Sequence, residues 1–401
     1  MKKQWILSLS LGLIMIPALA QAEPFAVVGP RALGMGGASV AAVNDSTAVY
    51  WNPAALAHFR KVDIRIPVSA GAQDHIGLRD KQDRIKDINA RVQLGDLTAA
   101  DEMKALLNDL DKPKSGADID LSGGLFISIP IGKSAIALSL SGLGYAGVYP
   151  TVDTFNQDTT TPLNPQYIGN NNTAVTGIGI MATEPAISFA TSFWDKVFIG
   201  ANVKKIYAST YVNSQEISAD SFDTFIDEFQ ESKTESRKDS VDAGILLAPV
   251  QSFRLGVVGR DLNSPSFPVQ GLFAQKNQIT GDVAISQASD EIKFDPQYRA
   301  GLAWQPFKTL TLAADYDLKK NKTLTPGYES QIAAVGLEKT LLSEYFNLRV
   351  GANKNLADSD AKTVYTAGLG LRLFALRFDV AGGYDFAERQ GAVSVDLALR
   401  F

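Results

Sequence analysis

Apolar and polar residues alternate from Lys61 to the end of the chain, in segments of about ten residues, as in strands with one apolar face. The last segment is the clearest. Its apolar positions are Val393, Val395, Leu397, Leu399 and Phe401, and the positions between them are Ser394, Asp396, Ala398 and Arg400. Segments of this kind predict about fourteen strands. They cover 61–72, 118–130, 133–146, 184–194, 196–212, 239–248, 253–262, 294–305, 308–319, 329–339, 344–354, 363–374, 376–386 and 391–401.

Short and long connections alternate between these strands. The short turns lie at 130–133, 194–196, 248–253, 305–308, 339–344 and 374–376, and the long connections at 73–117, 147–183, 213–238, 263–293, 320–328 and 355–362. This alternation is typical of outer-membrane barrels, which have short periplasmic turns and long external loops. A soluble β-sandwich also has alternating strands, but it does not need this order of connections. The pattern therefore favours an all-β fold, a transmembrane antiparallel β-barrel with both termini in the periplasm.

Two long loops contain helix-forming segments. Gln82–Lys112 is charged, and Thr98–Asp101 is predicted to form a capping box before an apolar helical face. Ser221–Ser232 places Phe222, Phe225, Ile226 and Phe229 on one face of a helix. These helical insertions in the external loops either pack over the barrel mouth, which we favour, or bind a ligand or partner. Residues 153–176, rich in Asn, Thr and Pro, are predicted to be irregular.

The N-terminal region divides into two segments. Met1–Ala22 has the charged start, apolar run and A-x-A cleavage site of a secretory signal peptide. A transmembrane anchor is the alternative, but the apolar run is short and Pro17 interrupts it. Gly29–Ala57 is too rich in glycine for a stable surface helix and too apolar for a linker. We predict a signal peptide at 1–22, a plug (hatch) at 23–60 inside the barrel, and the barrel at 61–401.

The inward face of the predicted barrel is ionic. Charged residues on adjacent strands there are expected to pair and to brace the barrel against its plug. The main predicted network is Arg349, Arg372, Arg377, Asp379, Asp396 and Arg400. Arg254, Arg260, Asp315, Asp317 and Asp385 are expected to face the lumen as well.

Composition excludes several kinds of site. The chain has no cysteine, so disulfides, Cys-ligated metals and thiol nucleophiles are impossible. His58 and His75 are the only histidines and lack the spacing of a metal pair. A net charge of −5 does not suggest nucleic-acid binding. Gly34–Ser39 lacks the third glycine of a dinucleotide-binding loop. We predict no metal, no cofactor, no catalytic residues and no enzymatic activity.

The plug sequence carries a family resemblance. Arg31–Ala38 (RALGMGGA), Asp45 and Tyr50–Ala54 (YWNPA), directly before a barrel, resemble the N-terminal region of the FadL-type outer-membrane superfamily. That superfamily includes long-chain fatty acid and aromatic-hydrocarbon transporters, PorV-type secretion barrels and a TraF-like group named after a plasmid conjugal-transfer protein. The TraF-like group is the most similar, because of the polar helical insertion after the first strand. By this resemblance the hatch residues are Gly34, Gly36, Gly37, Asn52, Pro53 and Ala54.

The resemblance implies passive transport of hydrophobic small molecules. FadL-type transporters pass ligands through a lateral opening at a kinked third strand, and Gly142, Gly144 and Gly147 could permit such a kink here. The alternative is a structural or adaptor barrel associated with secretion or conjugation, which would transport no ligand. Expected partners are outer-membrane lipid, the barrel-assembly machinery through the C-terminal strand ending at Phe401, and either a hydrophobic ligand or an envelope protein.

Overall fold

The computed structural model of the protein describes residues 25–74, 78–217, 222–342, 345–386 and 390–401. Its strands are β1 (Asp63–Asp74), β2 (Ala117–Ile131), β3 (Ser134–Thr151), β4 (Ala174–Phe193), β5 (Val197–Glu216), β6 (Thr234–Val250), β7 (Phe253–Arg260), β8 (Ser266–Lys276), β9 (Val283–Lys293), β10 (Gln297–Phe307), β11 (Leu310–Asp317), β12 (Asn321–Lys322), β13 (Glu329–Ser330), β14 (Ile332–Leu341), β15 (Phe346–Asn355), β16 (Val364–Leu373), β17 (Leu376–Tyr384) and β18 (Gly391–Arg400). All but β8, β9, β12 and β13 form one closed barrel.

The barrel is closed by β1 and β18, which pair from Asp63↔Arg400 to Ala72↔Gly391. All neighbouring barrel strands are antiparallel, and the predicted fourteen-strand transmembrane barrel is confirmed. Its apolar side chains point outward: Val393 and Leu397 are 62% and 51% exposed, whereas Ser394 and Asp396 are buried. A closed barrel with this polarity fits a lipid environment outside and a polar interior.

The helices are short in the plug and longer in the loops. They are α1 (Pro30–Gly34), α2 (Ala48–Trp51), α3 (Ala55–His58), α4 (Leu78–Gln93), α5 (Leu97–Leu110) and α6 (Phe222–Glu231), with a single 3₁₀ turn at Ile168–Asn170. Within the described ranges, no helix combines the length and the apolar character needed to cross a bilayer. The predicted signal peptide, Met1–Ala22, lies outside the described residues, as does His75.

Helices α4 and α5 pack on the loop that follows β3. Ile88, Met103 and Leu107 form an apolar cluster with Tyr167 and Ile168. The helical insertion was therefore predicted, but its capping was not. Asp96, rather than Thr98, is the N-cap of α5 and accepts hydrogen bonds from the backbone N–H of Thr98 and Ala99. An Asp at this position satisfies two of the free N–H groups at a helix start, so the helix begins two residues earlier.

Helix α6 lies against β5. Phe225 is buried, and Phe229 stacks on Tyr211 with ring centroids 5.5 Å apart. The prediction that Ile226 shares this face was wrong, because its side chain is 62% exposed. The packed face of α6 thus follows the four-residue spacing of Phe225 and Phe229, and Ile226 lies outside that face.

Strand pairing extends further at the loop end of the barrel than the alternation predicted. Strand β4 begins at Ala174 and β6 at Thr234. A hairpin of β8 and β9, within the predicted connection 263–293, lies across the loop end. Its Pro268 and Leu272 carbonyls accept hydrogen bonds from the hydroxyls of Thr210 and Ser214 of β5. Because these hydroxyls point into the lumen, the hairpin covers part of the mouth.

Candidate functional site: the barrel lumen and its plug

The segment 25–60, called the plug below, fills the middle of the barrel. Trp51 and Met35 are fully buried, and the indole Nε1–H of Trp51 donates to the Val28 carbonyl at 2.9 Å. Phe25 stacks on Trp51, and Tyr50 meets both rings edge-on. The predicted N-terminal plug is therefore present in the fold, with its own small aromatic core.

The plug lies against inward-facing glycines of the barrel wall. The Cα of Gly34 is 3.2 Å from the point where a Cβ on Gly368 would lie. A Cβ on Gly336 would lie 2.5 Å from the Cβ of Met35. A Cβ on Gly200 would lie 2.4 Å from the carbonyl carbon of Pro53 and 2.6 Å from the backbone nitrogen of Ala54. Only glycine allows the backbone of the plug to approach the wall this closely.

The predicted hatch residues make specific contacts. The Asn52 amide donates to the carbonyls of Val40 and Ile245, and its oxygen accepts from the N–H of Ala54, which fixes the Asn-Pro-Ala turn. The Gly36 N–H donates to Thr366 Oγ1 at 3.0 Å. Gly37 has a φ of +92°, a conformation that favours glycine. Whether these residues act as a moving hatch stays a prediction.

An ionic cluster joins the plug to the wall at α1. Arg31 donates through Nε and Nη2 to the two oxygens of Glu338, at 3.0 and 2.8 Å. Arg349 donates to Glu338 at 2.7 Å and to Asp379 at 2.5 Å. All four side chains are buried. This bidentate, charge-assisted geometry gives α1 a defined position.

A second cluster lies where the barrel closes. Asp63 of β1 accepts from Arg400 at 2.8 Å and from the N–H of Ser46 in the plug at 2.9 Å. Arg65 forms an ion pair with Asp396. The closing seam and the plug are thus held by the same charges. Removing one partner of such a pair would leave an uncompensated buried charge.

A third cluster surrounds Lys204 of β5. Its ammonium lies 2.8 Å from Asp261, 3.3 Å from Asp242 and 3.5 Å from Glu184. On the same side, Arg260 lies over the ring of Tyr50, 3.8 Å from its centroid. Two further contacts lie outside this cluster. Arg299 of β10 forms an ion pair with Asp317 of β11, with 2.6 Å between nitrogen and oxygen. Backbone N–H groups of Ser39 and Val40 donate to Asp315 at 2.7 and 2.8 Å.

The structure places the predicted lumen charges as follows. Arg349, Asp379, Asp396 and Arg400 belong to the first two clusters, whereas Arg372 donates to the Phe374 carbonyl at the rim. Asp385 is buried near the loop end. Sequence reasoning missed Arg31, Glu338, Arg65, Asp63 and Lys204 as network members. Three of these residues lie at inward-facing positions of predicted strands, namely Asp63, Arg65 and Glu338. The alternation could therefore have identified them as facing the lumen.

Burial and charge shift the pKa values of three plug residues. Burial raises the pKa of Tyr50 above its usual value. Burial also opposes ionisation of Asp45, but the charges of Arg65, Arg400 and Arg31 together outweigh it, so the pKa of Asp45 is lowered. Burial, together with the nearby charges of Arg254 and Arg60, lowers the pKa of His58 to about 4. His58 is therefore neutral at pH 7.

A cavity of about 190 Å³ lies between the plug and the loop end. Apolar side chains line much of it, including those of Phe25, Leu33, Leu324, Ile332 and Val364. We call it the loop-end cavity. Asp118, Asp120 and Lys362 also border this cavity, so it combines apolar surface with a few charged groups, as small-molecule pockets commonly do.

A larger space of about 680 Å³ lies on the other side of the plug and is called the turn-end vestibule. Its lining contains nine arginines and lysines but only three acidic residues. Arg31, Asp45 and His58 form its plug side. The two cavities therefore differ sharply in character, apolar at the loop end and cationic at the turn end.

The wall is closed at the third strand. Strand β3 pairs without a register shift with β2 and with β4, and the pairs include Gly142, Gly144 and Gly147. Gly142 and Gly144 lie on the outward phase of the strand, and Gly147 on the inward phase. The structure thus shows no kink or gap at the predicted lateral opening, because the glycines continue the regular ladder rather than interrupt it.

No group of three or more histidine or acidic side chains in the described part of the chain is arranged to hold a metal ion. The acidic residues of the lumen instead accept from arginine, lysine or backbone N–H groups. This is the arrangement expected of structural ion pairs, although one oxygen each of Glu184, Asp315 and Asp396 has no hydrogen-bond partner.

Solved structures share this fold. A Pseudomonas aeruginosa FadL homologue has a TM-score of 0.56 and 12% identity, with 95% of this chain and 99% of that chain covered. The Ralstonia pickettii toluene transporter TbuX has a TM-score of 0.55 and 13% identity, covering 93% and 98%. The P. putida toluene transporter TodX has a TM-score of 0.54 and 11% identity, covering 93% and 97%. At these identities the likeness concerns the fold alone.

Sequence comparison gives the family. None of the curated proteins compared with the chain matches it. A family model described as "F plasmid transfer operon, TraF, protein" matches residues 49–317, from the second plug helix to the end of β11. This match covers most of the chain and agrees with the predicted resemblance. The protein has the barrel fold of the FadL-type structures and belongs to the TraF family that this model describes.

Proposed function

We propose that the protein is an outer-membrane barrel that passively transports hydrophobic small molecules. The loop-end cavity supports this proposal most directly. An apolar cavity of about 150 Å³ in another protein stays dry and binds benzene, and the loop-end cavity has about 190 Å³. It can therefore hold one aromatic ring or a short alkyl segment. The related folds named above include toluene transporters.

The proposed route passes the plug at α1. Leu33, Gly36 and Gly37 border the loop-end cavity, and Arg31 borders the turn-end vestibule. The segment 31–37 is therefore a shared wall between the two spaces. A displacement of this segment, with release of Arg31 from Glu338, joins them. In the orientation of outer-membrane barrels the turn end faces the periplasm, and the predicted signal peptide supports export to that compartment.

Narrowing the loop-end cavity tests transport. Val364 is buried and lines the cavity, and its neighbour Tyr365 is 58% exposed on the outer face of the same strand. Val364→Trp should lower binding and uptake of radiolabelled toluene or a labelled long-chain acid by at least tenfold, because the indole fills the cavity. Tyr365→Trp is the matched control and should transport as the wild type does. Absence of binding by the folded wild-type barrel would reject the transport proposal.

An adaptor barrel is the second candidate. The closed wall at β3 and the many plug contacts favour a rigid body, and α4 and α5 present a packed helical surface at the loop end. Here the barrel would dock an envelope protein, with the family description pointing to conjugal transfer. Cross-linking in the native envelope should then recover a defined partner that is lost when Gln82–Lys112 is deleted. Recovery of the same proteins from both strains would reject this role.

A further inference from the structure

The turn-end vestibule contains a buried arginine whose charge no protein group pairs. Arg254 of β7 is 4% exposed and lines the vestibule. Among the described residues it has no hydrogen bond and no ion pair. Its guanidinium nitrogens are not among the fully enclosed polar atoms, so they reach the open space. Because its nitrogens face this open space, the guanidinium can be satisfied only by water or by a bound acceptor, and not by a group of the protein.

The groups around Arg254 do not supply the missing acceptor. Arg31 and His58 approach it from the plug. The nearest acid is Glu338, and that carboxylate already accepts from both Arg31 and Arg349. On its own strand and on β10, the neighbouring inward residues are Gly256 and Ala303. Arg254 thus faces cations, glycine and alanine, and the free acceptor must come from outside the chain.

The rest of the vestibule reinforces this imbalance. Arg377 of β17, which five strands separate from β7 around the wall, borders the same space and has a buried Nε without an acceptor. The other wall arginines of the vestibule, Arg65, Arg349 and Arg400, are all ion-paired. Within the described residues, Arg254 and Arg377 are therefore the arginines on the wall of this space that lack an ion pair. Their summed field attracts anions into a water-accessible cleft.

We propose that the turn-end vestibule is a binding site for an oxyanion, a phosphate or carboxylate group held by the guanidinium of Arg254. The planar fork of arginine matches two oxygens of either group. The group can come from two sources, a free anion of the periplasm or the head of an amphiphilic acid. This site lies on the other side of the plug from the loop-end cavity, so it does not depend on the proposed transport function.

Binding measurements on the full barrel in a non-ionic detergent test the proposal. The probes are inorganic phosphate, octanoate and the uncharged octanol, titrated by calorimetry at low salt. Binding of phosphate indicates a free anion as the source, and binding of octanoate alone indicates an amphiphilic acid. Octanol should not compete for the site. If neither anion binds the wild type, the proposal is wrong.

The residue assignment is tested by Arg254→Gln, which should weaken anion binding at least tenfold. Arg237→Gln removes the same charge from an exposed position of β6 and should leave binding unchanged. Equal affinity of Arg254→Gln and the wild type would overturn the assignment. If Arg254→Gln does not fold, phenylglyoxal modification of wild-type Arg254, followed by mass spectrometry, replaces it. The bound anion should slow that modification several-fold, and an unchanged rate would contradict the proposal.

Discussion

His58 shows how the plug environment controls a single side chain. It ends α3, and its ring meets Phe198 edge-on with centroids 5.1 Å apart. Arg254 and Arg60 are its charged neighbours, and both disfavour a second positive charge. A neutral imidazole adds nothing to the charge of the vestibule, whose field at neutral pH therefore comes from its arginines and lysines.

The pKa of His58 can be measured directly because the chain has only two histidines. In a His75→Gln variant, the imidazole proton resonances report His58 alone. We expect titration near pH 4, well below the usual value of about 6.5. A titration midpoint above 6 would show that the plug does not bury this ring against Arg254.

This shift also has a consequence for stability. The folded protein resists protonation of His58, so the unfolded state binds more protons between pH 6.5 and about 4. The free energy of unfolding should therefore fall as the pH decreases through this window. His58→Gln should lose less stability than the wild type over the same range.

The ion clusters show what could be derived from sequence at the residue scale. The alternation places Arg349 and Asp379 on the inward face, and the structure pairs them. It cannot reveal that Arg31 of the plug shares Glu338 with Arg349, because Arg31 and Glu338 are 307 positions apart in the chain. The plug has no periodicity from which its side-chain directions could be derived, so its partners required the structure.

At the scale of elements, the strand pattern was informative because each strand has one lipid-facing and one lumen-facing side. The hairpin β8–β9 was not predicted as strands, although one face of β8, with Phe267, Val269 and Phe273, is buried in the apolar core. The start of α5 was misplaced because both Asp96 and Thr98 are good N-cap residues. Only the observed bonds from Thr98 and Ala99 to Asp96 decide between them.

The inward glycines permit a test of how the plug is seated. Gly336→Val should destabilise the protein by about 1–3 kcal/mol or displace the plug, because its side chain would overlap Met35. Gly142→Val is the matched control, since a Cβ there has no neighbour within 4 Å. Denaturant midpoints and heat-modified migration of the purified barrels measure both effects. If the two variants are equally stable, close seating of the plug on the wall is wrong.

At the scale of the whole molecule, the plug occupies the lumen of a closed barrel and is held there by ion pairs and apolar contacts. The number of strands and the closure follow from the sequence, because alternation and connection lengths repeat along the whole chain. The existence of two cavities does not follow from it. Their volumes depend on how far the plug fills the lumen, and the sequence contains no measure of that. The glycine content of β3 likewise does not reveal whether its pairing with β2 and β4 is continuous.

The central question for the whole molecule is whether segment 31–37 can leave its position. Glu338→Gln removes the charge that Arg31 and Arg349 share, so it should loosen α1 without altering the lipid-facing surface. Ala38→Cys, at a fully buried plug position, provides the only thiol in this cysteine-free chain. In the Ala38→Cys background, Glu338→Gln should raise the rate of maleimide labelling several-fold. Glu329→Gln, which removes an exposed partner of Lys320, is the control and should leave the labelling rate unchanged.

If the transport proposal is right, toluene should accelerate labelling even with Glu338 intact. Equal, slow labelling in all three proteins, with and without toluene, would identify a static plug and favour the adaptor role.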